Sequence, residues 1–291
     1  MRSLLFVPGD SPRKLEKALG SGADALIVDL EDSVAPSAKA RAREIAATFL
    51  RQAGQCSERP RLLVRVNALA TGLTDADLDG VMAAEPDGIM LPKAAGGADV
   101  VHLGAKLAVR EAEFGLPDGG TRIVAIATET GGGVFALGTY AGASRRLGGL
   151  TWGGEDLSAD IGAEANRDGD GLYTDPYRIA RALTLLGAAA AEVDAIDTVY
   201  TSYRDLDGLA RECREARRDG FVAKMVIHPT QVPVINEAFT PSPAALEKAR
   251  AIVAAFAADP GAGVIGLEGE MVDQPHLKRA QRLLSRMGKR L

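Results

Sequence analysis

Cysteine, histidine and long apolar runs are scarce in this chain of 291 residues. The two cysteines, Cys56 and Cys213, lie far apart and outside any CxxC or Cys/His cluster. Their placement argues against a disulfide framework or a structural zinc site, and a reducing cytoplasm is the expected compartment. No apolar run approaches the ~20 residues that span a bilayer, and Met1 and Arg2 lead directly into a strand-like run without a secretory leader. We therefore expect no membrane association.

Long blocks of a single charge sign are also missing. The net charge of −5 is spread along the chain, so the electrostatic footprint of a nucleic-acid-binding protein is absent. The hydrophobic content of 46% is enough to bury the core of one large domain, with or without a small appendage. The expected partners are small molecules or further copies of the chain.

Short β-branched or Leu-rich runs alternate with amphipathic segments, which is typical of βα units and a parallel sheet. Eight strands are predicted, at 3–7, 25–30, 62–67, 88–92, 122–128, 149–153, 195–200 and 223–228. Helices are predicted at 13–19, 38–52, 74–83, 99–113, 176–191, 206–218 and 244–258. The alternation predicts an α/β fold, a (β/α)8 TIM barrel, with a doubly wound open sheet as the alternative.

The stretch after Asp259 departs from this alternation. Pro260 and a glycine-rich run lead to Pro275 and a last basic helix that ends near Arg286. We predict a catalytic barrel domain over 1–240 and a C-terminal helical extension over 241–291. The GxGxxG pattern at 261–266 follows a helix rather than opening a βαβ unit, so it is predicted to be a loop and not a dinucleotide site.

Polar residues follow nearly every predicted strand at its C-terminal edge. They are Asp29, Glu31, Asp32, Arg65, Asn67, Lys93, Glu129, Glu155, Asp156 and His228. A barrel gathers these edges into one catalytic face, whereas ordinary solvated charges would be scattered over helix faces and loops. The pattern therefore predicts an active site at this face.

Carboxylates dominate this set, so a hard, oxygen-preferring cation suits it better than zinc. Mg²⁺ typically takes one or two protein carboxylates, and Glu129 and Asp156 are the candidate ligands. Glu155 is expected to turn away or to cap the following helix. The planar guanidinium of Arg65 can bind a carboxylate or stabilise charge that develops on an oxygen; a surface salt bridge is the alternative.

Several short motifs, taken in order and spacing, resemble one family over almost the whole length. The family is that of the citrate lyase beta subunit, which includes malyl-CoA and citramalyl-CoA lyases. The motifs are Leu5-Phe6-Val7-Pro8-Gly9, Asp29-Leu30-Glu31-Asp32-Ser33-Val34, Val64-Arg65-Val66-Asn67, Met90-Leu91-Pro92-Lys93-Ala94, Glu129-Thr130, Gly154-Glu155-Asp156-Leu157-Ser158-Ala159-Asp160, Ile227-His228-Pro229 and Met271-Val272-Asp273-Gln274-Pro275.

The resemblance implies a homotrimer of barrels in which Glu129 and Asp156 bind magnesium. It also implies that Arg65 contacts the substrate and that Glu31 with Asp32 supports the water molecules of the metal. Asp273, on the extension, is implied to reach into the site of a neighbouring subunit. Composition alone would make Asp273 a turn residue before a proline.

The implied activity is cleavage or formation of a carbon-carbon bond between an acyl-CoA thioester and a 2-oxo acid, with citramalyl-CoA or malyl-CoA as substrate. Arg65 would stabilise the thioester enolate and Asp273 would protonate it. Arg13, Lys14 and Lys17, just past the first strand, are candidates for contacting the CoA phosphates, with helix-surface charge as the alternative. His228 is assigned to the same CoA-binding group.

Two departures from the family pattern bear on the substrate. The family usually has alanine after Glu129-Thr130, whereas Gly131-Gly132-Gly133 follow here, so a looser chain or a closer approach of the chain to the substrate is expected. Met225 stands where many relatives have an aromatic residue, which suggests a reshaped channel for the CoA arm. Three alternatives stay open: a 3-hydroxyacyl-CoA thioesterase, a citrate lyase component acting on a carrier-protein thioester, and a non-catalytic barrel.

Overall fold

The structure, a computed structural model, describes residues 1–288. Its barrel strands are β1 Ser3–Pro8, β2 Ala25–Asp29, β3 Arg61–Arg65, β4 Gly88–Leu91, β5 Arg122–Ile126, β6 Leu147–Thr151, β7 Asp194–Asp197 and β8 Ala223–Val226. These strands pair in parallel in chain order, and β1 also pairs with β8, so the sheet closes. The eight predicted strands and the TIM barrel are confirmed, and closure rules out the open sheet.

Helices follow the strands in the alternation that the sequence predicted. They are α1 Pro12–Leu19, α2 Lys39–Gly54, α3 Thr74–Val81, α4 Gly97–Phe114, α5 Gly131–Phe135, α6 Gly154–Asp160, α7 Asp175–Ala190, α8 Leu206–Asp219, α9 Val232–Phe239, α10 Pro243–Ala258 and α11 Gln274–Gly288. The predicted helices are confirmed, whereas α5, α6 and α9 were missed. Each of these three has eight residues or fewer, too short for an apolar period to stand out.

The core has two layers because successive strand residues point to opposite faces of the sheet. The barrel interior is filled by Leu4, Ala25, Ile27, Leu63, Met90, Val124, Ile126, Ile196, Ala223 and Met225. The larger layer lies between the strands and the helices. Met225, which we expected to shape a CoA channel, is instead a buried interior side chain. Within residues 1–288, no helix is both long and apolar enough to cross a bilayer.

A charged network is buried in the barrel unit, where β7 and β8 meet α8. The Lys224 ammonium lies 2.7 Å from Asp197 Oδ2 and 2.8 Å from Glu212 Oε1, and Lys224 and Asp197 are both fully buried. Trp152 Nε1 donates to the other oxygen of Asp197 at 2.8 Å. Burial alone would raise the pKa of Asp197, but the charge of Lys224 holds it below its usual range.

Replacing Lys224 by methionine is expected to lower the free energy of unfolding by about 3 kcal/mol, because the buried Asp197 would lose its closest cation and keep only Arg181, whose Nε lies 3.4 Å from Asp197 Oδ1. Urea denaturation measures the change. The matched control is Lys106→Met, which removes a partly exposed ion pair with Asp75 and should cost less than about 1 kcal/mol. Equal losses in the two variants would contradict the role given to the network.

The chain divides into two compact units, Met1–Phe239 and Thr240 onward. The second unit contains α10, α11 and an antiparallel hairpin of β9 Val264–Leu267 and β10 Glu270–Asp273. Its own core is built from Ala249, Ile252, Phe256, Val272 and Ala280. The prediction of a loop across 261–266 is wrong at its C-terminal end, where Gly266 lies in β9. That this unit completes a neighbouring site stays a prediction.

Candidate active site

Charged side chains gather at the carboxyl ends of β2 to β6, the barrel face that carries active sites in this fold. Asp29 and Arg65 end β2 and β3, whereas Lys93 and Glu129 follow the ends of β4 and β5. The group, called the acidic cluster below, consists of Asp29, Glu31, Asp32, Glu129 and Asp156 with Arg65 and Lys93. Carboxyl groups thus outnumber cationic groups by five to two.

Arg65 is held rigidly by two acids. Its Nε and Nη2 donate to the two carboxylate oxygens of Asp29, each at 2.7 Å, and its Nη1 lies 2.9 Å from Glu31 Oε2. The guanidinium also lies over the ring of Phe6, 4.9 Å from the centroid. Burial would raise the pKa of Asp29, but hydrogen bonds and charge from Arg65 hold it below its usual range. The guanidinium is therefore charged and fixed in place.

Glu31 is buried between two cations, whereas Asp32 is open to solvent. Glu31 Oε1 lies 2.7 Å from Lys93 Nζ, on the opposite side from its contact with Arg65. Burial raises the pKa of Glu31 despite both cations. The Asp32 side chain is 57% exposed, with Oδ2 at 3.5 Å from Lys93 Nζ and 3.7 Å from Arg65 Nη1. Lys39 Nζ donates to the carbonyl oxygens of Leu30 and Glu31, each at 2.7 Å, which fixes this loop.

Lys93 links the β2 side of the cluster to the β5 and β6 side. Its ammonium lies 3.2 Å from Asp156 Oδ1 as well as 2.7 Å from Glu31 Oε1. Its backbone N–H donates a short hydrogen bond to Glu129 Oε2. The residue has a left-handed backbone with φ of 50°. Burial would lower the pKa of Lys93, but the surrounding carboxylates raise it above its usual range, so the side chain is cationic.

Glu129 is the most buried candidate ligand, with 3% of its surface exposed. Burial, together with the neighbouring charges of Asp156 and Glu31, raises its pKa to about 8, although the Lys93 N–H acts in the opposite direction. Its side chain fits against Gly153, where an added Cβ would lie 2.7 Å from Glu129 Cγ. Gly153 thus makes room for this carboxyl group.

The donor set fits one hard divalent cation. Within residues 1–288, no group of three or more His, Cys, Asp or Glu side chains forms a metal-binding cage, so a cation here would depend on one or two carboxylates. Mg²⁺ commonly binds in that way and leaves its other positions to water and substrate. A nearby positive charge would oppose the burial and the neighbouring acids that raise the pKa of Glu129.

Substituting Gly153 by alanine is expected to displace Glu129 and to weaken divalent-cation binding by roughly tenfold or more, because overpacking at a tight contact costs about 1–3 kcal/mol. Mn²⁺ titration monitored by electron paramagnetic resonance measures the affinity. Gly138→Ala is the control, since a Cβ at Gly138 meets nothing within 4 Å. A Gly153 variant with wild-type affinity would show that Glu129 does not depend on this space.

The glycines at 131–133 form the first turn of α5, so the expectation of a looser chain is wrong, whereas a closer approach to the substrate stays a prediction. Thr130 caps this helix, because its Oγ1 accepts from the Gly133 N–H at 3.0 Å. A Cβ at Gly133 would lie 2.8 Å from the carbonyl oxygen of Ala127. Gly133 therefore allows a close approach between the helix and the chain that precedes Glu129.

The predicted CoA-binding residues lie outside these contacts. Arg13, Lys14 and Lys17 are exposed on α1. The His228 ring stacks on Tyr203, with 4.9 Å between centroids. These positions stay candidates for binding a phosphorylated ligand.

Two other strand-end residues have structural contacts. Glu155 Oε1 accepts from Asn166 Nδ2 at 2.8 Å, which agrees with the expectation that Glu155 turns away. Asn67 is buried, and its Nδ2 donates to Asp77 Oδ2 at 2.7 Å and to the Leu30 carbonyl oxygen at 3.1 Å. It therefore supports the loop that carries Glu31.

Asp273 ends β10 in the second unit and precedes α11. Its carboxylate makes a short contact with His276 Nδ1 and accepts from the His276 N–H at 3.4 Å. The hydrogen bond from the imidazole holds the pKa of Asp273 below its usual range. The Asp273 side chain is 46% exposed, so one side of the carboxylate faces solvent within this unit.

Sequence reasoning missed three features of the cluster. Lys93 was noted as a strand-end residue but given no role, and Asp29 was not recognised as the anchor of Arg65. The requirement for glycine at Gly153 was also missed. Of these three features, only the contact between Asp29 and Arg65 could have been inferred from the sequence. The two residues are 36 positions apart and stand near the C-terminal ends of neighbouring strands, β2 and β3, which pair them directly.

Comparison with known proteins gives consistent matches. A profile described as HpcH/HpaI aldolase/citrate lyase matches residues 2–229. A (3S)-malyl-CoA thioesterase of Cereibacter sphaeroides is 36% identical over 287 residues, which cover 98% of this chain and 94% of the relative. The mitochondrial citramalyl-CoA lyase of Rattus norvegicus is 33% identical over 309 residues, covering 98% and 85%.

A solved structure is also similar. The crystal structure of protein CitE from Mycobacterium tuberculosis, in complex with magnesium, acetoacetate and coenzyme A, superposes with a TM-score of 0.73 at 35% sequence identity. The match covers 99% of this chain and 98% of that one. The similarity therefore extends over both compact units.

Proposed function

Because the chain belongs to the HpcH/HpaI aldolase/citrate lyase family, we propose that it is a magnesium-dependent carbon-carbon lyase of 3-hydroxyacyl-CoA thioesters. The products would be acetyl-CoA and a 2-oxo acid, with citramalyl-CoA and malyl-CoA as the first candidate substrates. The single observation that carries the proposal is the acidic cluster, in which Glu129 and Asp156 are both contacted by Lys93 beside a fixed Arg65.

Glu129 and Asp156 would hold the magnesium ion, and exposed Asp32 with Glu31 would bind its water molecules. When bound, the ion supplies positive charge beside the reacting oxygen atoms of the substrate. The protein structure of a relative with magnesium, acetoacetate and coenzyme A supports this assignment. A site built on two carboxylates leaves room for a hydroxyl and a carboxylate group of the substrate.

In the cleavage direction, the substrate hydroxyl gives its proton to solvent and becomes the keto oxygen of the 2-oxo acid. The adjacent carbon-carbon bond breaks, and its electron pair passes to the thioester enolate. Arg65, fixed by Asp29 and Glu31, would stabilise the negative charge that grows on the thioester oxygen. This interaction is stronger in the transition state than in the ground state, which is the condition for acceleration.

Asp273 would deliver a proton to the enolate carbon, and in the condensation direction it would remove that proton from acetyl-CoA. We assign it to the site of a neighbouring subunit in a homotrimer. Its partly exposed carboxylate, with a pKa held low by His276, is ionised before the reaction and suits the base of the condensation direction. In cleavage it would pass on a proton taken up from solvent. Arg13, Lys14 and Lys17 are assigned to the CoA moiety, since cationic side chains suit its phosphates. His228, whose ring stacks on Tyr203, is assigned to the same moiety.

A second candidate function is hydrolysis of a 3-hydroxyacyl-CoA thioester. The observation that favours it is the 36% identity to a (3S)-malyl-CoA thioesterase. The same site would then direct water at the thioester carbonyl and leave the carbon skeleton intact.

The test is an assay of the purified chain on malyl-CoA, citramalyl-CoA and citryl-CoA, with and without Mg²⁺, in which mass spectrometry follows the products. We expect magnesium-dependent release of acetyl-CoA and one 2-oxo acid. Free CoA with an intact hydroxy acid would instead establish the thioesterase. No turnover of any of the three substrates would count against both enzymes and favour a component that acts on a carrier-protein thioester.

A further inference from the structure

Lys93 touches four carboxyl groups of the acidic cluster, yet the chemistry described above gives it no part. Its ammonium lies 2.7 Å from Glu31 Oε1, 3.2 Å from Asp156 Oδ1 and 3.5 Å from Asp32 Oδ2. Its backbone N–H donates to Glu129 Oε2. A single residue therefore contacts both candidate metal ligands, one through its main chain and the other through its side chain.

The backbone of Lys93 is unusual for its residue type. Its φ of 50° lies in the left-handed region, which residues other than glycine, asparagine and aspartate rarely adopt. Such conformations persist where the surroundings hold them, and they concentrate at functional sites. Here the conformation is stabilised because the backbone N–H and the side-chain ammonium both contact carboxylates of the acidic cluster.

The charge balance of the cluster indicates what the ammonium does. Five carboxyl groups surround two cations, and Arg65 is already engaged by Asp29 and Glu31. Lys93 Nζ shares Glu31 with Arg65 and is the cation that also reaches Asp156, at 3.2 Å. A fixed positive charge at this place opposes a second cation and attracts an anion, since Coulomb interactions at about 4 Å are strong in a partly buried site.

We propose that Lys93 is a built-in counter-ion of the metal site, which weakens divalent-cation binding and favours binding of the anionic 2-oxo acid. This role rests on the proposed function. Lys93 is a positioning residue in this account, because it acts through Glu129 and Asp156 and takes no part in bond breaking.

The test is Mn²⁺ binding to the full-length chain, measured by electron paramagnetic resonance of the free ion, for the wild type and Lys93→Met. Removal of the charge is expected to tighten Mn²⁺ binding by about tenfold. In the presence of saturating Mn²⁺, pyruvate as the probe anion should bind about tenfold more weakly, as measured by isothermal titration calorimetry. A structural role alone would loosen both ligands together.

Three further variants separate charge from other effects. Lys93→Gln keeps a hydrogen-bond donor for Glu31 and should reproduce the changes of Lys93→Met, which guards against a folding defect in the methionine variant. Lys93→Arg keeps the charge and should bind Mn²⁺ like the wild type. Lys106→Met removes a lysine that pairs with Asp75 on α3 and should also leave Mn²⁺ binding unchanged.

The outcomes distinguish this role from the metal site itself. The counter-ion role would be overturned if the wild type bound Mn²⁺ and both Lys93→Met and Lys93→Gln bound it equally well or more weakly. The lyase proposal would still stand in that case. If the wild type showed no saturable Mn²⁺ binding, the metal site and the lyase proposal would fail with it.

Discussion

Replacing Glu129 by glutamine is expected to reduce magnesium-dependent turnover by about 10³-fold or more, because the site would lose one of its two carboxylate ligands and the positioning they provide. The affinity for Mn²⁺ should fall in parallel. The measurement is kcat with the best substrate from the product assay, across a range of Mg²⁺ concentrations. Magnesium-dependent activity that survived in this variant would remove Glu129 from the metal site.

The same substitution should stabilise the protein in the absence of metal. The pKa of Glu129 is raised from 4.5 to about 8 by burial and by neighbouring acids, so the folded chain holds this proton more tightly than the unfolded chain. The carboxyl group therefore costs stability as the pH rises above its unfolded pKa, and the cost levels off above about 8. Glutamine avoids this cost, so we expect Glu129→Gln to gain about 1–3 kcal/mol at pH 8 and little at pH 4.

Glu155→Gln is the matched control for both measurements. Glu155 precedes the proposed ligand Asp156, but its carboxylate accepts from Asn166. The control should keep its Mn²⁺ affinity and its dependence on magnesium. We expect Glu129→Gln, but not Glu155→Gln, to lose activity and gain stability. This trade-off is typical of a residue that is kept for function at a cost in stability.

Much of the barrel could be predicted because its signals are local. Short apolar runs with polar residues at their C-terminal ends mark strands whose ends lie at one face, and the closed barrel brings Glu31, Arg65 and Glu129 to that face. The hairpin of the second unit left no such signal. The β9 segment Val264-Ile265-Gly266-Leu267 has no alternation of apolar and polar residues, so no period of two marks the strand in the sequence.

The contacts within the site could not be predicted, because they depend on backbone geometry and on pairs distant in sequence. No sequence pattern reveals that Lys93 adopts a positive φ and so contacts Glu129 and Asp156 together. The absence of a Cβ at Gly153 matters only because Glu129, on another strand end, packs against it. The raised pKa of Glu129 likewise results from burial, which sequence does not give.

Asp273→Asn should lower kcat by a factor of about 10²–10⁴, the usual contribution of a general acid or base, with Mn²⁺ binding unchanged. Exchange of the methyl protons of acetyl-CoA with D₂O, measured by mass spectrometry, reports on this residue directly. Wild-type exchange in the presence of a 2-oxo acid should be lost in the variant. Asp259→Asn, in the same unit and just after α10, is the control and should exchange normally.

Co-expression of Asp273→Asn with Glu129→Gln tests whether the second unit serves a neighbouring barrel. In a cyclic trimer, a site can combine the barrel of one variant with the extension of the other, and both parts are then intact. Random mixing in equal amounts should restore about one quarter of wild-type activity, since each part is intact in half of the chains. If each extension served its own barrel, every site would carry one of the two substitutions, and the mixture would be as inactive as the variants alone.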